Sequence, residues 1–145
     1  MPTYTCWSHR GVLSPGDRER VATAVTEAHH EVARAPRYLV QVLFAEVEEG
    51  SHFIAGRSAP AGQVWIRGDV REGRTVEQRW ELLLRLTGEV AEILGLPAEL
   101  VWVYLNEIPG ANMTEYGRVL PVVGEESEWF AALPADLQRR LRDLE

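Results

Sequence analysis

The chain has 145 residues, of which 46% are hydrophobic and 26% are charged, and its formal net charge is −7 at pH 7. This length is sufficient for one hydrophobic core and too short for two independent ones, so a single domain over residues 1–145 is expected. The negative charge and the lack of a stripe of basic residues argue against nucleic acid and anionic membranes as partners.

Cysteine content and hydropathy narrow the class of protein further. Cys6 is the only cysteine, which excludes an internal disulfide and every metal site built from several cysteines. We expect no metal and no cofactor. No apolar run approaches the roughly 20 residues of a membrane span, and the N-terminus lacks the pattern of a signal peptide, so a cytoplasmic location is expected.

The chain begins Met1-Pro2-Thr3-Tyr4-Thr5-Cys6, a segment typical of a β-strand. If Met1 is removed, as a small second residue normally allows, the ring nitrogen of Pro2 becomes a free secondary amine with a pKa of about 8. Such an amine can act as a general acid, a general base or a nucleophile. The alternative is that proline is simply common near chain ends, where it has no sheet hydrogen bond to lose.

The sequence contains two similar halves. A shift of 61 residues without a gap superimposes helix-starting pairs, Ser14 with Asp17 and Thr75 with Gln78. The same shift aligns the following identities: Arg10 with Arg71, Arg18 with Arg79, Thr26 with Thr87, Glu31 with Glu92, Pro36 with Pro97, Leu39-Val40 with Leu100-Val101, Val42 with Val103, Glu46 with Glu107, and Gly56-Arg57 with Gly117-Arg118. We interpret this as a duplicated unit, with one repeat at about 2–57 and the second at about 63–118.

Each repeat reads as strand, helix, strand. The strands are predicted at residues 2–8 and 38–47, and at 63–70 and 100–108. Apolar residues at helical spacing predict the helices between them: Val21, Val25, Ala28 and Val32 in the first, and Leu82, Leu83, Leu86, Val90 and Ile93 in the second. The segments Arg34-Ala35-Pro36 and Gly95-Leu96-Pro97 end them.

These elements predict an α/β fold, α+β by some schemes. Strand, helix and strand with an intervening dozen or more residues form a parallel, right-handed crossover. Two such units make a four-stranded sheet with both helices on one face. The other face is left uncovered, which favours an oligomer.

Three basic side chains are candidates for binding an acid. His29 lies at the edge of the first apolar stripe, where a partly buried structural histidine is the alternative. Arg71 and Arg74 are predicted in the loop before the second helix. Two guanidinium groups beside a helix N-terminus suit a carboxylate. The alternative is a solvated basic turn.

Two further side chains have chemical potential. Tyr104 shares a strand face with Trp102 and Asn106, and otherwise reads as a packing tyrosine. Glu115 lies in the segment 112–118, which is too polar for a core, and otherwise reads as a surface glutamate. Each signal is weak alone, but the predicted topology allows all these side chains to reach one end of the sheet.

Taken together, several segments resemble the cis-3-chloroacrylic acid dehalogenase family of the tautomerase superfamily over residues 2 to about 130. They are Pro2-Thr3-Tyr4, Ala28-His29-His30, Leu39-Val40-Gln41-Val42, Arg71-Glu72-Gly73-Arg74, Val101-Trp102-Val103-Tyr104 and Asn112-Met113-Thr114-Glu115-Tyr116-Gly117-Arg118.

The resemblance implies a homotrimer with a catalytic amino-terminal proline. By matched position, it implies Pro2 as general acid and His29, Arg71 and Arg74 as substrate-binding groups. Tyr104 and Glu115 are implied to position and activate water.

The chemistry implied is the addition of water to a small 3-substituted unsaturated carboxylate, such as a cis-3-haloacrylate or propiolate, towards malonate semialdehyde. Enol–keto tautomerisation and malonate semialdehyde decarboxylation remain alternatives from the same superfamily. A trimeric small-acid-binding protein without activity is a third. Binding alone has no obvious use for both Glu115 and a free Pro2.

The C-terminal extension covers about residues 119–145. Leucines at positions 133, 137, 141 and 144 predict a short amphipathic helix that packs on the trimer surface or folds over the pocket.

Overall fold

The computed structural model describes residues 2–145, and the predicted removal of Met1 therefore lies outside the described residues. The strands are β1 Thr3–His9, β2 Gln41–Val47, β3 Phe53–Ile54, β4 Arg57–Ser58, β5 Val64–Arg71, β6 Val101–Ile108, β7 Thr114–Glu115 and β8 Arg118–Val119. The helices are α1 Pro15–Ala33, α2 Val76–Leu94, α3 Glu126–Ala131 and α4 Ala135–Arg142. Within residues 2–145, no helix is long and apolar enough to cross a membrane.

The main sheet has four strands in the order β2-β1-β5-β6. β1 is parallel to β2 and β5 is parallel to β6, as the two crossovers require, and the central pair β1 and β5 is antiparallel. This confirms the predicted fold class. Because Thr3 pairs with Asp69, the start of β1 lies beside the end of β5. The topology thus brings Pro2 and Arg71 to one end of the sheet.

Both long helices begin as the sequence predicts. The Ser14 and Thr75 hydroxyls accept from the backbone N–H groups of Asp17 and Gln78, whose side chains accept in return from the backbone of the capping residues. These reciprocal bonds satisfy N–H groups that a helix start leaves unpaired. The predicted apolar stripes face the sheet, and residues of both line the main core.

The gap-free repeat alignment is wrong in the first strand. His9 pairs with Val47 and Arg71 pairs with Ile108, so the structural equivalent of Arg71 is His9 rather than Arg10. The loop before α1 has one residue more than the loop before α2. Because of this extra residue, β1 aligns with β5 at a shift of 62 residues, and the shift of 61 holds only from the helices onward.

The sheet face away from the helices is uncovered and rich in aromatic residues. Trp7 stacks on Trp65 with ring centroids 4.6 Å apart, and Tyr104 meets Trp65 edge-on at 5.7 Å. Trp102 is exposed on the same face of β6. The predicted alternation of β6 is confirmed, and the chain presents an apolar sheet face of the kind that oligomers bury.

The helix predicted from the leucines of the C-terminal extension is present as α4, and the extension contains a further short helix, α3, that the leucines did not predict. Pro134 separates α3 from α4, since proline is tolerated where a helix starts and not inside one. Leu133 and Leu141 are buried, whereas Leu144 is exposed. A small second core around Leu39 and Leu120 lies beneath this segment.

Candidate active site

Pro2 lies immediately before β1 and is buried. Its carbonyl accepts a hydrogen bond from the backbone N–H of Gln41 at 3.0 Å, which anchors the start of β1 to the start of β2. The ring nitrogen is the atom that Met1 acylates in the full sequence. Its chemistry therefore depends on whether Met1 is present.

Arg71 is the last residue of β5 rather than a loop residue, and it is only 6% exposed, so the alternative of a solvated turn is wrong for Arg71. Its Nη1 donates to the Pro121 carbonyl at 2.8 Å, and its Nη2 donates to the Glu126 carboxylate of α3. Burial favours the neutral form of Glu126, but the hydrogen bond from Arg71 holds the pKa of this carboxyl below its usual value. The extension thus supplies an internal carboxylate to a predicted substrate-binding arginine.

Arg74 lies three residues further along, in the loop that precedes α2. Its Nη1 donates to the Arg71 carbonyl, and its Nη2 lies 2.9 Å from Nε2 of His29. Burial lowers the pKa of the guanidinium. Arg79 on the first turn of α2 donates to the Arg74 carbonyl at 3.0 Å, so the backbone of this loop is held as well.

His29 is completely buried on α1, deeper than the predicted edge position. Its Nδ1 lies 2.8 Å from the Tyr4 hydroxyl, and its Nε2 contacts Arg74. Burial, followed by the nearby positive charge of Arg74, lowers the pKa of His29 to about 2. The imidazole is therefore neutral at pH 7, and both its nitrogens have protein partners.

Glu115 is the last residue of β7 and is half-buried. Burial raises the pKa of its carboxyl to about 7, although the charge of Arg71 acts in the opposite direction. Such a carboxyl exchanges protons near neutral pH, as a general acid or base must.

Two cavities lie at this end of the sheet. Glu115 lines one of about 780 Å³, together with Thr3 and Leu39. Arg71 and Arg74 line a second of about 320 Å³, which also contains Leu39. The proton-exchanging carboxyl and the arginine pair are thus separated by a shared wall at Leu39.

The arginine cavity is lined by both signs of charge, Arg71 and Arg74 on one side and Glu126 on the other. The Nε atoms of Arg71 and Arg74 are buried and have no hydrogen-bond partner within residues 2–145. Buried donors normally have partners, so these two favour an incoming acceptor. No group of three or more His, Cys, Asp and Glu residues suited to a metal ion occurs in the same part of the chain.

Tyr104 is not brought to this group within one chain. It pairs with Arg67 in the middle of the sheet and lies half-exposed on the uncovered face, against Trp65. Sequence reasoning missed two residues of the site, Tyr4 and Glu126. The alternation of β1 places Tyr4 on the helix-covered face and could have suggested it, but no local pattern distinguishes Glu126 from its acidic neighbours.

Comparisons with known proteins show the family of this chain. The Tautomerase_3 family model, described as "Putative oxalocrotonate tautomerase enzyme", matches residues 1–132. The crystal structure of N1, a member of the cis-3-chloroacrylic acid dehalogenase family, is 52% identical with a TM-score of 0.95, covering 97% of this chain and 99% of N1. No functionally curated protein matches.

Two further structures extend the likeness. Native Ps01740 is 34% identical with a TM-score of 0.74, covering 78% of this chain and 99% of its own. A native fused 4-OT is 25% identical with a TM-score of 0.76, covering 84% of this chain and 98% of its own. The chain therefore belongs to the Tautomerase_3 family and, within the tautomerase superfamily, to the cis-3-chloroacrylic acid dehalogenase family.

Proposed function

We propose that this protein adds water to small 3-substituted unsaturated carboxylates, a cis-3-haloacrylate or propiolate, and so forms malonate semialdehyde. The observation that carries the proposal is that buried Arg71 and partly buried Arg74 lie at the sheet end where Pro2 lies, with Glu115, whose pKa burial raises to about 7, on the other side of Leu39. The arginines suit a carboxylate, and the glutamate suits the activation of water.

In this proposal Arg71 and Arg74 bind the substrate carboxylate. When water attacks C3, negative charge builds on the carboxylate side as an enediolate, and fixed guanidinium groups stabilise it. The substrate carboxylate takes the place of Glu126 on Arg71 and reaches the unpartnered Nε donors.

Glu115 and Pro2 handle the protons. The Glu115 carboxylate removes a proton from the attacking water, and the cationic Pro2 amine delivers one to C2. With a haloacrylate, the resulting halohydrin loses halide and a proton to give the aldehyde. With propiolate, the enol product ketonises to the same aldehyde. The role of Pro2 requires the removal of Met1, since an acylated ring nitrogen has no proton to donate.

Tyr104 enters the proposal through assembly. We place it in the site of a neighbouring subunit of a cytoplasmic homotrimer, in which the uncovered sheet face packs against the next copy. The aromatic character of that face and the separation of Tyr104 from Pro2 and Arg71 within one chain support this arrangement. The proposed reaction uses no cofactor, and the proposal includes no nucleic-acid or membrane partner.

A comparison of two reactions tests the proposal. In Glu115→Gln and Tyr104→Phe, kcat/KM for propiolate or a cis-3-haloacrylate should fall by about 100-fold or more, the scale of one positioned acid or base. Ketonisation of phenylpyruvate enol, which needs no activated water, should persist. A matched fall in both reactions would favour the tautomerase alternative, which the oxalocrotonate tautomerase description of the family model supports.

Pro2→Ala and a preparation shown by intact mass to retain Met1 provide the second arm. Both should lose at least about 100-fold in turnover, because each lacks the cyclic secondary amine. Full activity with Met1 attached would exclude Pro2 as the acid. Malonate semialdehyde decarboxylation is assayed with the same variants, and a protein that binds these acids but turns over none of them would be the non-catalytic alternative.

A further inference from the structure

A buried chain of side chains connects β1 to the arginine pair. The Tyr4 hydroxyl lies 2.8 Å from Nδ1 of His29, and Nε2 of His29 lies 2.9 Å from Nη2 of Arg74. Tyr4 and His29 are both fully buried, and their rings meet edge-on at 5.8 Å. The described part of the chain thus offers the imidazole two specific partners, one on each nitrogen.

The direction of each hydrogen bond follows from the chemistry of the donors. A guanidinium only donates, so Nε2 of His29 must accept from Arg74 and carries no proton. Burial next to the Arg74 charge keeps the imidazole neutral, and its single ring proton is therefore on Nδ1. That N–H then donates to the Tyr4 oxygen. The hydroxyl proton of Tyr4 is left for another acceptor.

We propose that Tyr4 is a positioning residue: it accepts from Nδ1–H of His29, in the tautomer that Arg74 requires, and thereby holds His29 and Arg74 in place for the substrate carboxylate. With the other tautomer, Nε2–H would point at the Arg74 N–H groups, and two donors would oppose each other. The inference rests on the proposed function only in assigning the carboxylate to Arg74. The tautomer of His29 follows from the geometry alone, because Arg74 can only donate to Nε2.

The fold reserves space for this tyrosine. A Cβ added at Gly68 of β5 would lie 2.5 Å from Cε1 of Tyr4, so only glycine at this position leaves room for the ring. The close approach fixes the plane of the ring and hence the place of its hydroxyl. The position of the oxygen is therefore set by packing rather than by the hydrogen bond to His29.

The ring nitrogens of His29 provide a direct readout. In protein labelled with 15N in its histidines, the wild type should show His29 with a protonated Nδ1 and an unprotonated Nε2. In Tyr4→Phe, Nδ1–H loses its acceptor, so its proton and 15N shifts should change and its proton should exchange faster with solvent. A wild-type imidazolium or Nε2–H form would overturn the inference even if Tyr4→Phe cannot be purified, and so would unchanged Nδ1–H shifts and exchange in a folded Tyr4→Phe.

Kinetics with a second variant separate positioning from general packing. Tyr4→Phe should raise KM for propiolate or a cis-3-haloacrylate by about tenfold and change kcat by less than about twofold, as expected when a hydrogen bond to a charged group is lost. In His29→Gln, the glutamine amide oxygen can accept from Arg74 whether residue 4 is tyrosine or phenylalanine. Tyr4→Phe should then have no further effect on KM in that background.

Equal effects of Tyr4→Phe in the wild-type and His29→Gln backgrounds would overturn the inference, because a purely structural tyrosine acts independently of the histidine. If the wild type turns over neither acid, the proposed function fails, whereas the 15N measurement still decides between the tautomers.

Discussion

The two ends of the main sheet share one backbone plan and differ in their side chains. Where the candidate site has Glu115, the equivalent hairpin of the first repeat has Ile54, and both hairpins turn through two residues with left-handed backbone. Where α1 has His29, α2 has Val90, and both are fully buried. Where β5 ends in Arg71, β1 ends in His9.

This difference shows where the chemistry originates. Duplication gives each end a strand terminus, a capped helix and a hairpin, so the backbone alone does not create the site. The site arises where a buried cation, a neutral histidine and a carboxyl of raised pKa replace apolar or solvated residues. At the equivalent of Arg74, the first repeat has Leu13, which packs into the core.

The largest expected effect comes from removing an arginine at one end and its structural equivalent at the other. Arg71→Ala should lower kcat/KM for a carboxylate substrate by about 100- to 1000-fold, because a fixed group stabilising the developing charge is lost. His9→Ala should change it by less than about twofold. Arg71→Lys should restore only part of the rate, since the planar fork is lost.

Steady-state kinetics at matched oligomeric state, checked by light scattering, would measure both variants. Comparable losses in Arg71→Ala and His9→Ala would mean that the two ends contribute alike, and the assignment of the site to one end would fail.

The second prediction concerns pH. Because burial raises the pKa of Glu115 to about 7 and the proposed base is the carboxylate, kcat/KM for water addition should rise as pH rises through about 7 and fall again at higher pH, where the cationic Pro2 amine loses its proton. The raised pKa also means that the folded state binds this proton more tightly than the unfolded state. The free energy of unfolding should thus carry a contribution that is present below the unfolded pKa and is lost as pH rises through about 7.

Glu115→Gln should remove the rise in kcat/KM and the loss of stability together, as measured by pH–rate profiles of the residual activity and by denaturant titrations at several pH values. An inflection near neutrality that survives in Glu115→Gln would assign it to another group.

Glu126 allows a test of whether an internal carboxylate competes with the substrate for Arg71. The Glu126 carboxylate is bound to Arg71 and would compete with an acid substrate. Glu126→Gln should therefore lower KM for the substrate by about threefold to tenfold, as expected when an internal competitor worth about 1 kcal/mol is removed. The melting temperature should fall, since a buried guanidinium loses its charged partner. Glu125→Gln, at the exposed neighbouring position, is the matched control. A higher KM in Glu126→Gln would show that Glu126 supports substrate binding instead.

Much of the scaffold could be predicted because it depends on local patterns. The capping pair Ser14 and Asp17 and the apolar stripes set the helices, and strand alternation set the faces. The site was harder to predict from the sequence, for physical reasons. The burial of Arg71 depends on α3, some 55 residues further along the chain, and that contact leaves no local signature. The proposed role of Tyr104 depends on the uncovered sheet face and on a second copy of the chain, and neither has a local sequence pattern.

The smallest expected effect compares two ion pairs that the duplication created in equivalent places. Arg18 bonds to Glu46 and Arg79 bonds to Glu107, each at 2.8 Å and each partly exposed. The local settings differ. Glu46 also contacts Arg10 and the backbone N–H of Gly11, whereas the same Nη1 of Arg79 that binds Glu107 also donates to the Arg74 carbonyl at 3.0 Å. One pair therefore supports the backbone of the candidate site.

Glu46→Gln and Glu107→Gln should each reduce the free energy of unfolding by a similar amount, about 0.5–1 kcal/mol, the scale of partly exposed ion pairs. Their kinetic effects should differ. Glu107→Gln frees Arg79 and loosens the loop that carries Arg74, so kcat/KM should fall by about threefold to tenfold, since small displacements of a positioning group are costly. Glu46→Gln should change it by less than about twofold. If both variants lose activity in proportion to stability, the Arg79 bond to the Arg74 carbonyl does not position the site, and the two ends of the sheet differ only in the side chains that face their cavities.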